Sequence, residues 1–210
     1  MEKVDILLPP TFKKSGQTKT LKQAWNDEEW LGSFNLWIIR SKPISGIVYQ
    51  QRSLNSSWAP GKLDVSAAGH YSAGEKMTDG LREVKEELGK NYQSRDLTYL
   101  GRKVHLDFDI HGKLRKSVIQ VFMIIDNSPL DAYVLEEREV YAICFCPLKK
   151  LIRAYTQKGY QFNVSALTCQ GRKTKVKVTK KSFPQGWDDY HFKIALLAKR
   201  FLKGEKHLIY

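Results

Sequence analysis

The chain has 210 residues, with 35 Lys and Arg against 22 Asp and Glu, a formal net charge of +13. Hydrophobic residues at 42% and aromatic residues at 11% exclude a disordered chain. Three cysteines are too few for a disulfide framework, and no apolar run is long enough to span a bilayer. The apolar stretch in MEKVDILLPPTFKK is too short for a signal peptide, so the expectation is a cytoplasmic protein without a membrane partner. The charge fits an anionic partner or a solvated basic surface, and does not choose between them.

In chain order, residues 1–33 read as an N-terminal extension: a short leading element, a polar turn at Ser15-Gly16, and a mixed segment. Residues 34–39 (FNLWII) and 46–51 (GIVYQQ) carry aromatic and β-branched strand signals. Residues 53–62 (SLNSSWAPGK) are loop chemistry, and 63–68 is a short buried strand. Residues 78–88 read as a helix that Thr78 caps and Gly89 stops. Strands at 97–108 and 118–125 flank a turn at His111-Gly112, and 140–146 is a further strand. Alternation places Cys144 and Cys146 on one strand face, where they read as core packing. Pro147 opens a helix over 148–157, and the apolar spacing of 188–202 describes an amphipathic helix. Between them, 149–182 holds ten basic residues and no acidic one. Its KTKVKVTKK run reads as a Lys-lined edge strand. It either blocks edge pairing or faces phosphate or nucleic acid.

The segment with chemistry is 69–90, GHYSAGEKMTDGLREVKEELGK. Positions i, i+3 and i+4 share a helical face, so Glu83, Glu86 and Glu87 converge. Such carboxylates repel one another unless a cation lies among them, and Mg2+ suits an all-oxygen site. A solvated acidic face is the plainer reading of the same spacing.

Order and flanks tip the balance. Gly69, Glu75, Arg82, Glu83, Val84, Glu86, Glu87 and Gly89 closely resemble the signature of the Nudix hydrolases. Two positions depart from it: six residues rather than seven separate Glu75 from Arg82, and Lys90 stands where an apolar residue is usual. The flanks, including Gln51-Arg52-Ser53, Trp58-Ala59-Pro60-Gly61 and Glu136-Glu137-Arg138-Glu139, are similar to the branch related to isopentenyl diphosphate isomerase. That enzyme uses a cysteine in the strand before the signature, where this chain has Ser66-Ala67-Ala68. The resemblance therefore implies a hydrolase.

The resemblance also implies a single Nudix domain over 1–210, an α/β/α sandwich with a mixed sheet, the basic 149–210 segment and final helix packing on it. It implies a hydrolase of nucleoside diphosphate derivatives using Mg2+ or Mn2+. Glu83, Glu86 and Glu87 would hold the metal, with the backbone of Ala68 or Gly69. Glu75 would pair with Arg82, which orients the glutamates, and Gly69 and Gly89 would be structural. The general base is Glu86 or a residue of the 136–139 run, Glu139 foremost. Arg52, Trp58, Lys173 and Lys175 are the expected substrate contacts, although Trp58 equally fits a lid over the core. His70 reads as bonding the loop backbone. The partner is a small phosphorylated substrate. The basic 149–181 segment leaves nucleic acid as the alternative, and a homodimer is compatible with the resemblance.

Overall fold

The structure is a computed structural model that describes residues 2–210. The chain begins with β1 (Lys3–Leu8), β2 (Lys13–Thr20), α1 (Leu21–Asn26), β3 (Trp30–Arg40) and β4 (Gly46–Arg52). Next come β5 (Leu63–Asp64), β6 (Ala67–His70), α2 (Leu81–Leu88), β7 (Thr98–Phe108) and β8 (Leu114–Ile125). It ends with β9 (Val140–Pro147), α3 (Leu148–Thr156), β10 (Phe162–Thr168), β11 (Lys173–Val178) and α4 (Tyr190–Phe201).

β3 organises the sheet. It runs parallel to β8, from Trp30↔Lys116 to Ile39↔Ile125. Along its other edge it pairs antiparallel with β1, then β6, then β4. The sheet continues from β4 through β9 and β10 to β11, while β7 extends it beyond β8. One parallel pairing among antiparallel ones makes the sheet mixed, as expected.

Both faces of β3 are apolar because both are covered, as the period of two requires. Phe34, Leu36 and Ile38 pack with Val48, Ile143 and the α2 residues Val84 and Leu88. Trp37 and Ile39 point the other way, into a cluster with Ile47, Tyr49, Leu151 of α3, and Ile194, Ala195 and Ala198 of α4. Cys144 and Cys146 lie in this second cluster. The architecture is the α/β/α sandwich the motif implied.

The boundaries needed several corrections. Residues of the N-terminal extension form strands and a helix that continue the sheet, closed by a small cluster of Val4, Ile6, Ala24 and Leu31. β2 (KKSGQTKT) has no apolar alternation to betray it, and its pairing with β1 is what holds it extended. The single strand expected over 63–68 is two strands. β5 pairs with β4 and β6 with β3. Ser66 sits in the fork between them: its hydroxyl accepts the Ile38 N–H (2.8 Å) and donates to the Val48 carbonyl (2.5 Å).

The signature helix starts at Leu81 rather than Thr78, and its first residue follows Gly80 with no side-chain cap. A side chain at Gly80 would meet Phe34, with a Cβ 2.4 Å from Cγ, so the turn entering the helix lies directly on β3. Gly89 ends the helix in the left-handed conformation, φ 65°, as expected. α4 begins at Tyr190, after Asp189 at φ 47°. β11 ends the sheet with Lys173, Lys175 and Lys177 exposed, an arrangement that disfavours edge-to-edge pairing. Among the described residues no helix is long and apolar enough to cross a membrane.

Candidate active site

A cavity of about 510 Å³ opens where the α4-facing side of the sheet turns from apolar to polar. On β3 the inward positions run Trp37, Asn35, Ser33, and on β8 they run Met123, Val121, Ile119, Ser117, Arg115. β7 adds Lys103, His105 and Asp107, each paired across from Ile119, Ser117 and Arg115. The polar ends of these strands form the floor. Ala68, Gly69 and the α2 glutamates make one wall, and Asp188, Tyr190 and His191 another.

β6 and α2 position the acidic wall. Glu87 is buried, and its Oε2 accepts the Ala68 N–H at 3.0 Å. Burial, reinforced by the charges of Glu139 and Glu83, pushes its carboxyl well above the usual range despite that bond. Burial likewise pushes the Glu83 carboxyl up to about 7; Arg82 pulls it down, while Glu86, Glu139 and Glu2 push with the burial. A Cβ at Gly69 would lie 1.9 Å from the Glu83 Cδ, so glycine is what leaves Glu83 room to stand where it does.

Arg82 stands among the acids. Its Nε donates to Glu75 Oε1 (3.0 Å), its Nη1 to Glu86 Oε2 (2.7 Å) and its Nη2 to Glu83 Oε1 (2.9 Å). The shorter loop therefore still permits the Glu75–Arg82 contact. Glu75 also accepts the Ser72 N–H at 2.7 Å, which holds the loop in the reach of Arg82. Burial alone would lower the guanidinium pKa, but Glu75, Glu83 and Glu86 more than reverse this.

Among the described residues no three Asp, Glu, His or Cys side chains stand together as a ready-made metal cluster. The donor set nevertheless fits a hard divalent cation. It is all oxygen, and two of its carboxylates are desolvated and mutually repelling, penalties that a bound cation relieves while keeping them ionised. If the site holds a divalent cation, Gly69→Ala is expected to lower its affinity at least about tenfold by displacing Glu83, the scale of disturbing a ligand's support. Calorimetric Mg2+ titration reads this directly.

The structure brings Ala68, Gly69, Arg82, Glu83, Glu86, Glu87, Glu139, Arg52 and Trp58 to the one cavity. Arg52 serves the loop as much as the opening. Its Nε donates to the Trp58 carbonyl (3.0 Å), its Nη2 to Ser56 Oγ (2.8 Å) and its Nη1 to Asp64 Oδ2 (3.2 Å). Trp58 in turn donates from Nε1 to Asp107 Oδ2 at 2.9 Å, with the Arg52 guanidinium 5.0 Å from its ring. Glu136 lies off the cavity, its N–H donating to the Glu87 carbonyl.

Lys173 and Lys175 correct the expected substrate contacts. They lie on β11, which β10 and β9 separate from β4, and neither lines the cavity. His70 lines the cavity, its ring edge-on to Trp25 at 5.7 Å; burial, with the charge of Arg115, lowers its pKa to about 4. Residues that escaped the sequence reading are Lys103, His105, Arg115, Asp188 and His191. For Lys103, His105 and Arg115 the available signal was a polar residue at every second position of β7 and β8; Asp188 and His191, just before and within α4, carried no such signal.

No family model matches the chain. An uncharacterised Nudix hydrolase of Clostridium acetobutylicum is 27% identical over 141 residues, 67% of this chain and 68% of that protein. Nudix hydrolase 3 of Arabidopsis thaliana is 28% identical over 149 residues, 69% of this chain but only 19% of the plant protein. Two solved structures share the fold. One, from Deinococcus radiodurans, has 19% identity and a TM-score of 0.53 over 75% of this chain and 90% of its own. The other is a MutT/Nudix family protein from Enterococcus faecalis, with 14% identity and a TM-score of 0.53 over 85% of this chain and 65% of its own. The signature residues, their meeting in one cavity and these relatives agree in making the chain similar to the Nudix hydrolases.

Proposed function

We propose that the protein is a Mg2+-dependent hydrolase that cleaves the diphosphate of a nucleoside diphosphate joined to another group. The observation that carries this reading is the desolvated pair Glu83 and Glu87 at one end of a substrate-sized cavity, with Glu86 and Glu139 beside them. A purely structural acidic cluster would be solvated, since burying like charges without a counter-ion is costly. When bound, the cation supplies charge neutralisation for phosphate oxygens and lowers the pKa of a water.

The residues of the chain then divide the remaining work. Glu83, Glu86 and Glu87 hold the cation, with the Ala68 or Gly69 backbone. Arg82 fixes the direction of Glu83 and Glu86 through its three-way contacts. Glu139 is the general base in this reading. Glu86 is engaged by Arg82, whereas Glu139 lines the cavity just ahead of β9 and its charge is felt by both buried glutamates. It would take the proton of the attacking water. Isomerase chemistry is disfavoured because Cys144 and Cys146 are buried in the core, and neither they nor Cys169 line the cavity.

The test is a Mg2+-dependent hydrolysis screen over sugar nucleotides, dinucleotides, modified nucleotides and coenzymes. Product formation is expected with at least one class and is expected to stop when EDTA is added. Folded, Mg2+-loaded protein that turns over none of them would refute the reading.

A further inference from the structure

Side-chain polar atoms that are buried without a partner are uncommon, and each needs a reason. Six such atoms occur among the described residues, and four of them belong to residues lining the one cavity: Ser33 Oγ, Arg115 Nη1, Asp188 Oδ1 and His191 Nδ1. Two of the four, Asp188 and His191, stand on the wall made by the start of α4, with Asp188 beside Lys103.

Lys103 is 5% exposed, yet its ammonium makes only long contacts, to the Val104 carbonyl at 3.4 Å and to Asp188 Oδ2 at 3.5 Å. An ammonium has three donors, so it retains capacity to bond a ligand. Asp188 offers an acceptor in Oδ1 and is itself held from behind, because the Tyr210 hydroxyl donates to its Oδ2. Tyr210 is fixed in turn by its N–H, which donates to the Leu100 carbonyl at 2.7 Å, and by an edge-on contact with Tyr190. Burial holds His191 neutral, with a pKa of about 4, so its imidazole is one donor and one acceptor.

Charge decides what kind of ligand suits this wall. Three cavity cations are already matched: Lys103 faces Asp188, Arg52 faces Asp64, and Arg115 faces Asp109. Lys116 and Arg138 line the cavity without an ion pair among the described residues, but the wall of Lys103, Asp188 and neutral His191 itself carries no net charge for a second phosphate. Donors and acceptors side by side, without net charge, suit neighbouring hydroxyl groups, which both donate and accept. The position also fits. In register, Lys103 lies across Ile119 and Ser33 from His70, three strand spacings or about 14 Å from β6. A substrate whose diphosphate sits at the glutamates therefore carries its sugar toward this wall.

We propose that Lys103, Asp188 and His191 form a subsite for vicinal hydroxyls of a sugar on the substrate, and that Tyr210 is the positioning residue that sets Asp188. The proposal rests on the diphosphate reading above for its substrate, but its test does not use hydrolysis. The Trp37 indole is the reporter, since its Nε1–H donates to the Tyr190 hydroxyl at 2.9 Å and its ring lies 5.5 Å from that of His191. Mg2+-loaded protein is titrated with ribose 5-phosphate and with 2-deoxyribose 5-phosphate, neither of which has a diphosphate to cleave, while the Trp37 indole N–H resonance is followed by NMR. Ribose 5-phosphate is expected to shift the resonance and to bind about fivefold more tightly, the scale of one hydrogen bond.

Lys103→Met combined with Asp188→Asn removes one charge of each sign, so no unpaired charge is buried, and the Asn still accepts from Tyr210. This variant is expected to bind both sugars alike. Tyr210→Phe is expected to narrow the difference without abolishing it. Equal affinities in the native protein, no shift of the Trp37 resonance, or a difference that survives the double variant would each overturn the subsite. The first of these results would mean that the unpartnered atoms hold water only. Failure of the hydrolysis screen with these titrations intact would instead remove the diphosphate reading.

Discussion

Glu87→Gln is expected to lower kcat at least about tenfold, which corresponds to roughly 1.4 kcal/mol of transition-state stabilisation. The substitution is nearly isosteric, and the amide oxygen can still accept the Ala68 N–H that Oε2 accepts at 3.0 Å. The fold should therefore survive. Stability should hold or rise slightly, because a buried carboxylate crowded by Glu83 and Glu139 costs free energy that a neutral amide avoids. Activity and stability moving in opposite directions is the signature of a functional carboxylate. The measurements are steady-state hydrolysis with Mg2+ on the best substrate of the screen, and a thermal melt of each protein. Unchanged turnover would remove Glu87 from the metal site.

Trp37→Ala is expected to cost about 3–5 kcal/mol, the range for removing a large buried aromatic side chain. In a chain of this length each kcal/mol moves Tm by about 2–4 °C, so the melt should fall by about 10 °C. Trp37 is fully buried and touches the rings of Tyr49, Tyr190 and His191. It also anchors the cavity wall, since the Tyr190 hydroxyl accepts from Trp37 Nε1 and from Asn35 Nδ2. Removing it leaves a void under the start of α4 and loosens the wall as well as the core. Trp37→Phe fills most of the void but loses the hydrogen bond, so a smaller loss, about 1–2 kcal/mol, is expected from it. A melt of the alanine variant within a degree or two of the native protein would contradict this account of the core.

Much of the acidic wall was legible from residue types alone. The i, i+3, i+4 spacing that put Glu83, Glu86 and Glu87 together is a property of any helix, and Gly69 and Gly89 have structural reasons that single positions can show. The sandwich was implied by the resemblance, and its physical basis is that β3 is covered on both faces, Phe34, Leu36 and Ile38 on one and Trp37 and Ile39 on the other. The helix start was misplaced by three residues. Thr78 had the chemistry of a cap, but the approach of Gly80 to Phe34 fixes where the helix can begin.

The charge of +13 shows where local reading stops. Composition suggested that the lysines of the 149–182 stretch would receive substrate phosphates. The sheet order places Lys173 and Lys175 at the far edge from β3, while the cations that do line the cavity come from other strands and loops, and three of them, Arg52, Lys103 and Arg115, are paired with aspartates. Charge is additive along a chain, but its use depends on which strands are neighbours. Local periodicity, spacing and side-chain chemistry determine the acidic helix, the strand faces and the shared face of the glutamates, because those effects act over a few residues. The other wall joins Lys103, Asp188, His191 and Tyr210, which are as many as 107 residues apart. Only the pairing of β7 with β8 and the docking of α4 bring them together, and long-range packing of that kind leaves no mark in any short stretch of sequence.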